Sequence, residues 1–132
     1  MNILADTGPL YALAMQRDAL HRRARGELER LDKQNRQLIV STSTLLETQS
    51  LLLRRESPRF AAIFIDALLL GATLVNPTSK DYLAAQALVK RYDDQRFTLF
   101  DATLAILATK LKLEIWTFDS DFDVLPSSVW RD

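Results

Sequence analysis

The sequence predicts an α/β sandwich built around a mostly parallel sheet, and three observations lead to it. Four short apolar runs recur along the chain: Asn2-Ile3-Leu4-Ala5, Gln37-Leu38-Ile39-Val40, Ala72-Thr73-Leu74-Val75 and Glu114-Ile115-Trp116-Thr117. Segments with helical spacing of apolar residues separate them. The runs are too short for buried helices and largely apolar on both faces, as strands covered by helices on both sides should be.

Taken in order, Asp6-Thr7-Gly8-Pro9 reads as a turn after the first strand, with a helix starting near Pro9, a residue suited to a first helical turn. A longer helix is expected from about Ala19 to Lys33, with Leu20, Ala24, Leu28 and Leu31 on one stripe. After the second strand, Ser41-Thr42-Ser43-Thr44 leads into a helix through Leu53. Pro58 opens the next helix, which runs to Leu70 with Gly71 as its expected C′ residue. The third strand is stopped by Asn76-Pro77. Ser79 to Tyr92 forms an amphipathic helix, with Leu83, Ala87 and Leu88 expected towards the core. Thr98 to Leu111 is apolar on nearly every side and reads as a buried central helix. A last short strand is expected near Val129-Trp130. No repeat, linker or low-complexity segment interrupts the chain, so one domain over residues 1–132 is expected.

Composition narrows the chemistry. A chain of 132 residues can bury roughly two-thirds of its unfolded surface. Its 48% hydrophobic and 26% charged content is that of a soluble globular protein. No apolar run approaches the ~20 residues that span a bilayer. Met1-Asn2-Ile3-Leu4-Ala5-Asp6 lacks a basic region and reaches an acid too early for a signal peptide, so a cytoplasmic location is expected. The absence of cysteine excludes disulfides, zinc knuckles and thiol nucleophiles. The single histidine, His21, leaves little for a His-rich zinc site or a Ser-His-Asp triad. What chemistry remains is carboxylate chemistry.

Equal numbers of basic and acidic residues, 17 of each, argue against a purely basic nucleic-acid coat protein. Locally the balance differs. Between Arg17 and Arg36 stand Arg17, Arg22, Arg23, Arg25, Arg30, Lys33 and Arg36 against Asp18, Glu27, Glu29 and Asp32. Arg54, Arg55 and Arg59 form a second basic cluster. Either group serves as a solvated helix face or as a contact for RNA phosphates or a protein partner.

In parallel sheets ligands bind beyond the carboxyl ends of the strands, near a switch in strand order. Asp6 follows the first strand, Glu47 lies in the first turn of the helix after the second, Asp119 follows the fourth, and Asp101 opens the buried helix. Each has an ordinary structural use. Asp6 could form an Asx-turn. Thr44-Leu45-Leu46-Glu47 and Thr98-Leu99-Phe100-Asp101 match capping boxes, and Asp119 could cap a final short helix. Jointly, four carboxylates at one sheet edge repel one another unless a cation compensates. No Lys or Arg lies within two residues of Asp6, Glu47 or Asp119. A hard divalent cation with oxygen ligands is the natural partner, and such a site suits phosphodiester hydrolysis without a histidine.

These residues carry a family resemblance. Asp6-Thr7-Gly8-Pro9-Leu10 looks like the opening motif of PIN domains. Glu47, then Asp101-Ala102-Thr103 on an apolar helix, then Thr117-Phe118-Asp119-Ser120-Asp121-Phe122 are similar to the remaining family motifs, in order and over essentially the whole chain. The resemblance implies a three-layer α/β/α sandwich with a central, mostly parallel sheet and Mg²⁺- or Mn²⁺-dependent endoribonuclease activity. Compact members resemble the VapC-type toxins of toxin–antitoxin pairs, which dimerise and are blocked by an antitoxin. Carried onto this chain, it implies Asp6, Asp101 and Asp119 as metal ligands, Glu47 acting through water, and Thr7, Thr117 and Asp121 in support.

Other readings fit less well. A receiver domain needs an Asp after the third strand, where Thr73-Leu74-Val75-Asn76-Pro77 has none. A HAD-type phosphatase needs an Asp two residues after Asp6, where Gly8 stands. The three glycines form no nucleotide fingerprint. A PIN-like scaffold that binds RNA or protein without cutting stays open, as does a housekeeping nuclease with no antitoxin. His21 reads as a solvated helix residue, and Trp116 and Trp130 as packing residues. Leu51-Leu52-Leu53 and Leu68-Leu69-Leu70 exceed one helical stripe each and suggest a second buried face, such as a homodimer interface.

Overall fold

A computed structural model describes residues 1–132. Four parallel strands, β1 (Asn2–Ala5), β2 (Gln37–Ser41), β3 (Ala72–Val75) and β4 (Glu114–Trp116), form one sheet in the order β3-β2-β1-β4. Six helices connect them: α1 (Thr7–Ala14), α2 (His21–Lys33), α3 (Thr42–Arg55), α4 (Pro58–Gly71), α5 (Ser79–Arg91) and α6 (Leu99–Leu111). A 3-10 turn, Ser120–Asp123, follows β4. No helix is long and apolar enough to cross a membrane.

Alternation along the strands sorts the core into two layers. Leu4, Ile39 and Ile115 join Ala85, Leu88, Ala102, Leu104 and Ala105 of α5 and α6 on one face. Ile3, Ala5, Val40 and Trp116 join Leu10, Ala12, Ala24, Leu31 and Leu68 of α1, α2 and α4 on the other. Adjacent residues therefore belong to opposite layers, which is why the strands read as continuous apolar runs. The α/β/α sandwich that the resemblance implies is the fold of this chain.

Several local expectations are corrected. The first helix begins at Thr7, capped by Asp6, so the Gly8-Pro9 pair sits in its first turn. Amides there have no helical partner, and proline costs nothing. The second helix begins at His21 rather than Ala19, which leaves Leu20 outside it. Gly71 is the last residue of α4 and has no positive φ, so it is not a left-handed C′ residue. On α5 the buried residues are Asp81, Ala85 and Leu88, whereas Leu83 is 71% exposed and Ala87 is exposed. The buried face of α5, which includes Leu88 as expected, lies about half a turn from Leu83. The expected final strand is reduced to a single bridge, Ile115 to Val129. Trp116 and Trp130 are buried, as a packing role requires.

Asp81 fastens α5 to α6. Its carboxylate accepts from the Thr78 amide at 2.8 Å in a capping box and meets Lys110 Nζ of α6 at 3.1 Å. The Thr78 amide, then Lys110, hold its carboxyl below the ordinary carboxylate range, against the opposing effect of burial. A depressed folded-state pKa contributes stability above the unfolded value, and that stability is lost as pH falls through the folded value. Asp81→Ala should therefore lower stability at neutral pH by about 1–3 kcal/mol, the scale of a lost cap and charged hydrogen bond. Its deficit relative to wild type should shrink in acid, as read by urea titrations across pH.

Candidate metal centre

The strand order places the site. The chain runs from β1 outward through β2 to β3, then returns to lay β4 against the other side of β1. The carboxyl ends of β1 and β4 thus flank the point where strand order reverses. Asp6 extends that pairing, its amide donating to Trp116 O at 2.9 Å. Its Oδ1 caps α1 by accepting from the Thr7 amide at 2.8 Å, and its Oδ2 accepts from the Thr117 hydroxyl at 2.7 Å. Thr117 Oγ1 in turn accepts from the Asp119 amide at 2.9 Å. One hydroxyl therefore ties Asp6 to the loop that carries Asp119.

Glu47 arrives from α3. The capping box expected at Thr44–Glu47 does not form: Ser41 caps α3, and Glu47 Oε1 accepts a short hydrogen bond from the Thr7 hydroxyl. Asp101 does sit in a capping box, its Oδ2 accepting from the Thr98 amide at 3.2 Å. Asp119 caps the 3-10 turn through the Asp121 amide at 2.9 Å. Oxygens of Asp101, Asp119 and Asp121 all lie within 4.8 Å of one another. Asp121, expected only in support, is thus as close to this cluster as Asp119.

The charges respond to this crowding. Burial pushes the Asp6 carboxyl up to about 6 against the lowering effect of its Thr117 and Thr7 hydrogen bonds, and the charges of Asp101 and Glu47 push it further. Burial also raises the Asp101 carboxyl; Thr98 opposes that, and Asp119 and Asp121 add to it. Asp121 is raised by desolvation and then by Asp119. None of the five ion pairs in the chain uses any of these acids.

The donor set is all oxygen. His21 points elsewhere, its Nδ1 2.7 Å from Ala12 O, and the chain has no sulfur donor besides methionine. Several crowded, partly desolvated carboxylates without a basic partner fit a hard divalent cation better than a soft one. Among the basic residues, Arg23 packs on this loop. Its guanidinium covers the Phe118 ring at 4.5 Å while Nε donates to Glu27 at 2.9 Å.

Comparison with known proteins agrees with this reading of the fold. A family model described as the PIN domain matches residues 3–127. The chain belongs to the PIN-domain family. No curated protein matched the sequence. Among solved structures, the chain resembles VapC20 of Mycobacterium tuberculosis, described as a Sarcin-Ricin loop cleaving toxin. The TM-score is 0.84 and the identity 26%, over 98% of this chain and 99% of that one. It also resembles VapBC2 of Rickettsia felis, solved with a promoter DNA fragment (TM-score 0.79, 16% identity, 99% and 98% covered). A third likeness is to VapBC-1 of nontypeable Haemophilus influenzae (TM-score 0.75, 18% identity, 100% and 98% covered).

The raised Asp6 carboxyl sets a pH dependence. Its ordinary value is 3.8 and its folded value about 6, so the folded state binds this proton more tightly. The stability it contributes is fully present below the unfolded value and is lost as pH rises through the folded one. Without divalent metal, wild type should lose stability as pH rises between about 4 and 6, a trend that Asp6→Asn weakens. At pH 7 the substitution should stabilise the metal-free protein by on the order of 1–2 kcal/mol, a discounted conversion of that shift. Added Mn²⁺ should raise the melting temperature of wild type and leave the variant nearly unmoved.

Proposed function

We propose that this chain is a Mg²⁺- or Mn²⁺-dependent endoribonuclease, the toxin of a VapBC-type toxin–antitoxin pair, acting in the cytoplasm as a single PIN unit over residues 1–132. The observation that carries this reading is the convergence of Asp6, Glu47, Asp101, Asp119 and Asp121 at the switch point with no basic residue paired to them. Asp6, Asp101 and Asp119 would hold the cation, with Asp121 beside them and Glu47 acting through water. A divalent cation in such a site acidifies a water and neutralises charge on the phosphodiester oxygens.

The chain's own groups do the rest. Thr117 and the Thr7 amide fix both oxygens of Asp6, which sets the direction of its remaining lone pairs. Thr7 occupies Glu47 Oε1 and leaves Oε2 without a protein partner, free to accept a hydrogen bond from an attacking water. RNA as substrate is supported by the likeness to a toxin described as cleaving the Sarcin-Ricin loop. An antitoxin partner is supported by the likeness to VapBC assemblies over nearly the full length of both chains, which a housekeeping nuclease gives no reason to expect. For the homodimer, the outer face of α4 with Ile63, Leu69 and Leu70 and the edge strand β3 with Leu74 offer exposed apolar surface to a second copy.

Asp101→Asn tests the mechanism. Asn keeps the side-chain shape and an acceptor oxygen for the Thr98 amide, and the lost charge in the first turn costs about 0.3–1 kcal/mol. If Asp101 is only a cap, RNA cleavage with added Mg²⁺ or Mn²⁺ should survive. As a metal ligand, its loss should reduce cleavage by orders of magnitude with little change in metal-free thermal unfolding. A variant that cuts as well as wild type would overturn the assignment.

The basic clusters, Arg17, Arg22, Arg23, Arg25, Arg54, Arg55 and Arg59, are proposed to meet RNA phosphates or an antitoxin, and Arg23 is the sharpest case. Arg23→Gln should weaken RNA binding uniformly across sequences and reduce the slope of log affinity against log salt by about one. An unchanged slope removes Arg23 from the RNA interface, and unchanged antitoxin affinity as well leaves it a structural residue.

A further inference from the structure

Beside the acids lies an uncharged cleft of about 390 Å³, lined among others by Ser43, Leu46, Asn76, Tyr82, Leu99 and Phe100. It grows from the same helix ends as the acids: Leu46 precedes Glu47 in α3, and Phe100 precedes Asp101 in α6. No lining residue is charged. Leu46 is 68% exposed, and Leu99 and Phe100 are 44% exposed each, in a chain that buries both tryptophans and Phe122. Asn76 is held in place because its Oδ1 accepts from the Thr42 hydroxyl at 2.9 Å. Its amide N–H groups have no protein partner. Thr103 has spent its hydroxyl proton on Leu99 O at 2.7 Å.

Such a cleft has nothing to attract a phosphate, and the neighbouring carboxylates repel one. It suits the other half of a nucleotide. A planar base is uncharged, stacks on aromatic and apolar side chains, and presents carbonyl and ring-nitrogen acceptors at its edge, which the free Asn76 amide can meet. Building on the nuclease reading above, we propose that this cleft holds one unstacked nucleobase of the RNA, that of a nucleotide next to the cut phosphodiester. Phe100 and Tyr82 supply the stacking surface, and Asn76 reads the base edge. Only a base free of duplex pairing can enter, so the same cleft selects single-stranded or loop RNA.

The test uses the full-length protein. Wild type first cuts a random pool of single-stranded RNA, and sequencing of the products gives the cut position. Oligoribonucleotides of that sequence are then made with an abasic ribose at each position in turn, and KM and kcat are measured for wild type, Phe100→Ala, Phe100→Trp and Asn76→Ala. One abasic position beside the cut should raise the wild-type KM on the order of 10- to 100-fold, the scale of a lost base–aromatic stack. Phe100→Ala should raise KM similarly on intact RNA and add nothing on the RNA abasic at that position. Phe100→Trp should restore KM, and Asn76→Ala should relax the base preference there.

Losses that simply add at every position would overturn the base cleft while leaving the nuclease reading intact. So would a Phe100→Ala protein that is monomeric where wild type is dimeric by light scattering and recovers its KM at raised protein concentration, which would assign the cleft to a second copy. A wild type that cuts no RNA in Mg²⁺ or Mn²⁺ would overturn the nuclease reading and this proposal with it. Thermal unfolding checks that each variant is folded.

Discussion

Thr117 donates its hydroxyl to Asp6 Oδ2 across the boundary where the strand order reverses, and the rest of the candidate site is arranged around that 2.7 Å bond. Asp6 closes β1 and Thr117 follows β4, so the bond exists only if these two strands are neighbours. They are neighbours because β1 lies inside the sheet, with β2 and β3 to one side and β4 to the other. The same hydroxyl accepts from the Asp119 amide, while Thr7, the residue after Asp6, reaches Glu47 on α3. Two threonines thus tie together acids from three separate parts of the chain. Each is nearly fully buried, which shields these bonds from water and fixes their direction.

Much of this was legible in the sequence because it follows from local pattern. The strands show as apolar runs because both faces are covered, Leu4 and Ile115 by α5 and α6, Ile3 and Trp116 by α1, α2 and α4. Asp6, Asp101 and Asp119 were readable because each ends a strand or opens a helix. What the pattern could not supply was orientation. Thr44-Leu45-Leu46-Glu47 and Thr98-Leu99-Phe100-Asp101 look alike as sequence, yet only the second forms a capping box. Ser41 takes the cap of α3, and the reach of Thr7 to Glu47 spans 40 positions that no local motif encodes. Helical spacing alone places Leu83 inward, whereas the face that α5 buries is set by Asp81, Ala85 and Leu88, about half a turn away. The closeness of Asp121 to Asp101 depends on the tight 3-10 turn after Asp119.

The basic residues divide in a way that net charge conceals. Arg36 lies under the amino ends of the strands, paired with Glu114 at 2.7 Å, and Arg30 and Arg131 pair with Asp132 and Asp123. These belong to the scaffold. Arg23 is different, since Glu27 takes its Nε and Phe118 its face, leaving the two terminal nitrogens without a hydrogen-bond partner in the protein. Glu27 is itself fixed by Trp116 Nε1 at 2.8 Å. A residue of β4 therefore sets the position of a cation on α2, and the strand that leads into Thr117 also positions a positive charge against the Phe118 ring.

The acids serve two purposes that pull in opposite directions. As caps, Asp6, Asp101 and Asp119 each satisfy backbone amides at the start of a helix or turn, which stabilises the fold locally. As a group they are crowded and partly desolvated, and the raised Asp6 and Asp101 carboxyls record that cost. The two uses are compatible because a capping carboxylate spends at most one lone pair per amide and keeps others for a cation. The cost falls on a sheet edge, away from the two apolar layers that hold the sandwich together. A cation at that edge would relieve the repulsion without disturbing a single cap, so its binding energy would appear largely as added stability of the folded state. The polarity of the helices favours the same outcome. Asp6 and Asp101 stand at helix N-termini, where the macrodipole favours negative charge, so the fold can assemble its acids before any metal arrives.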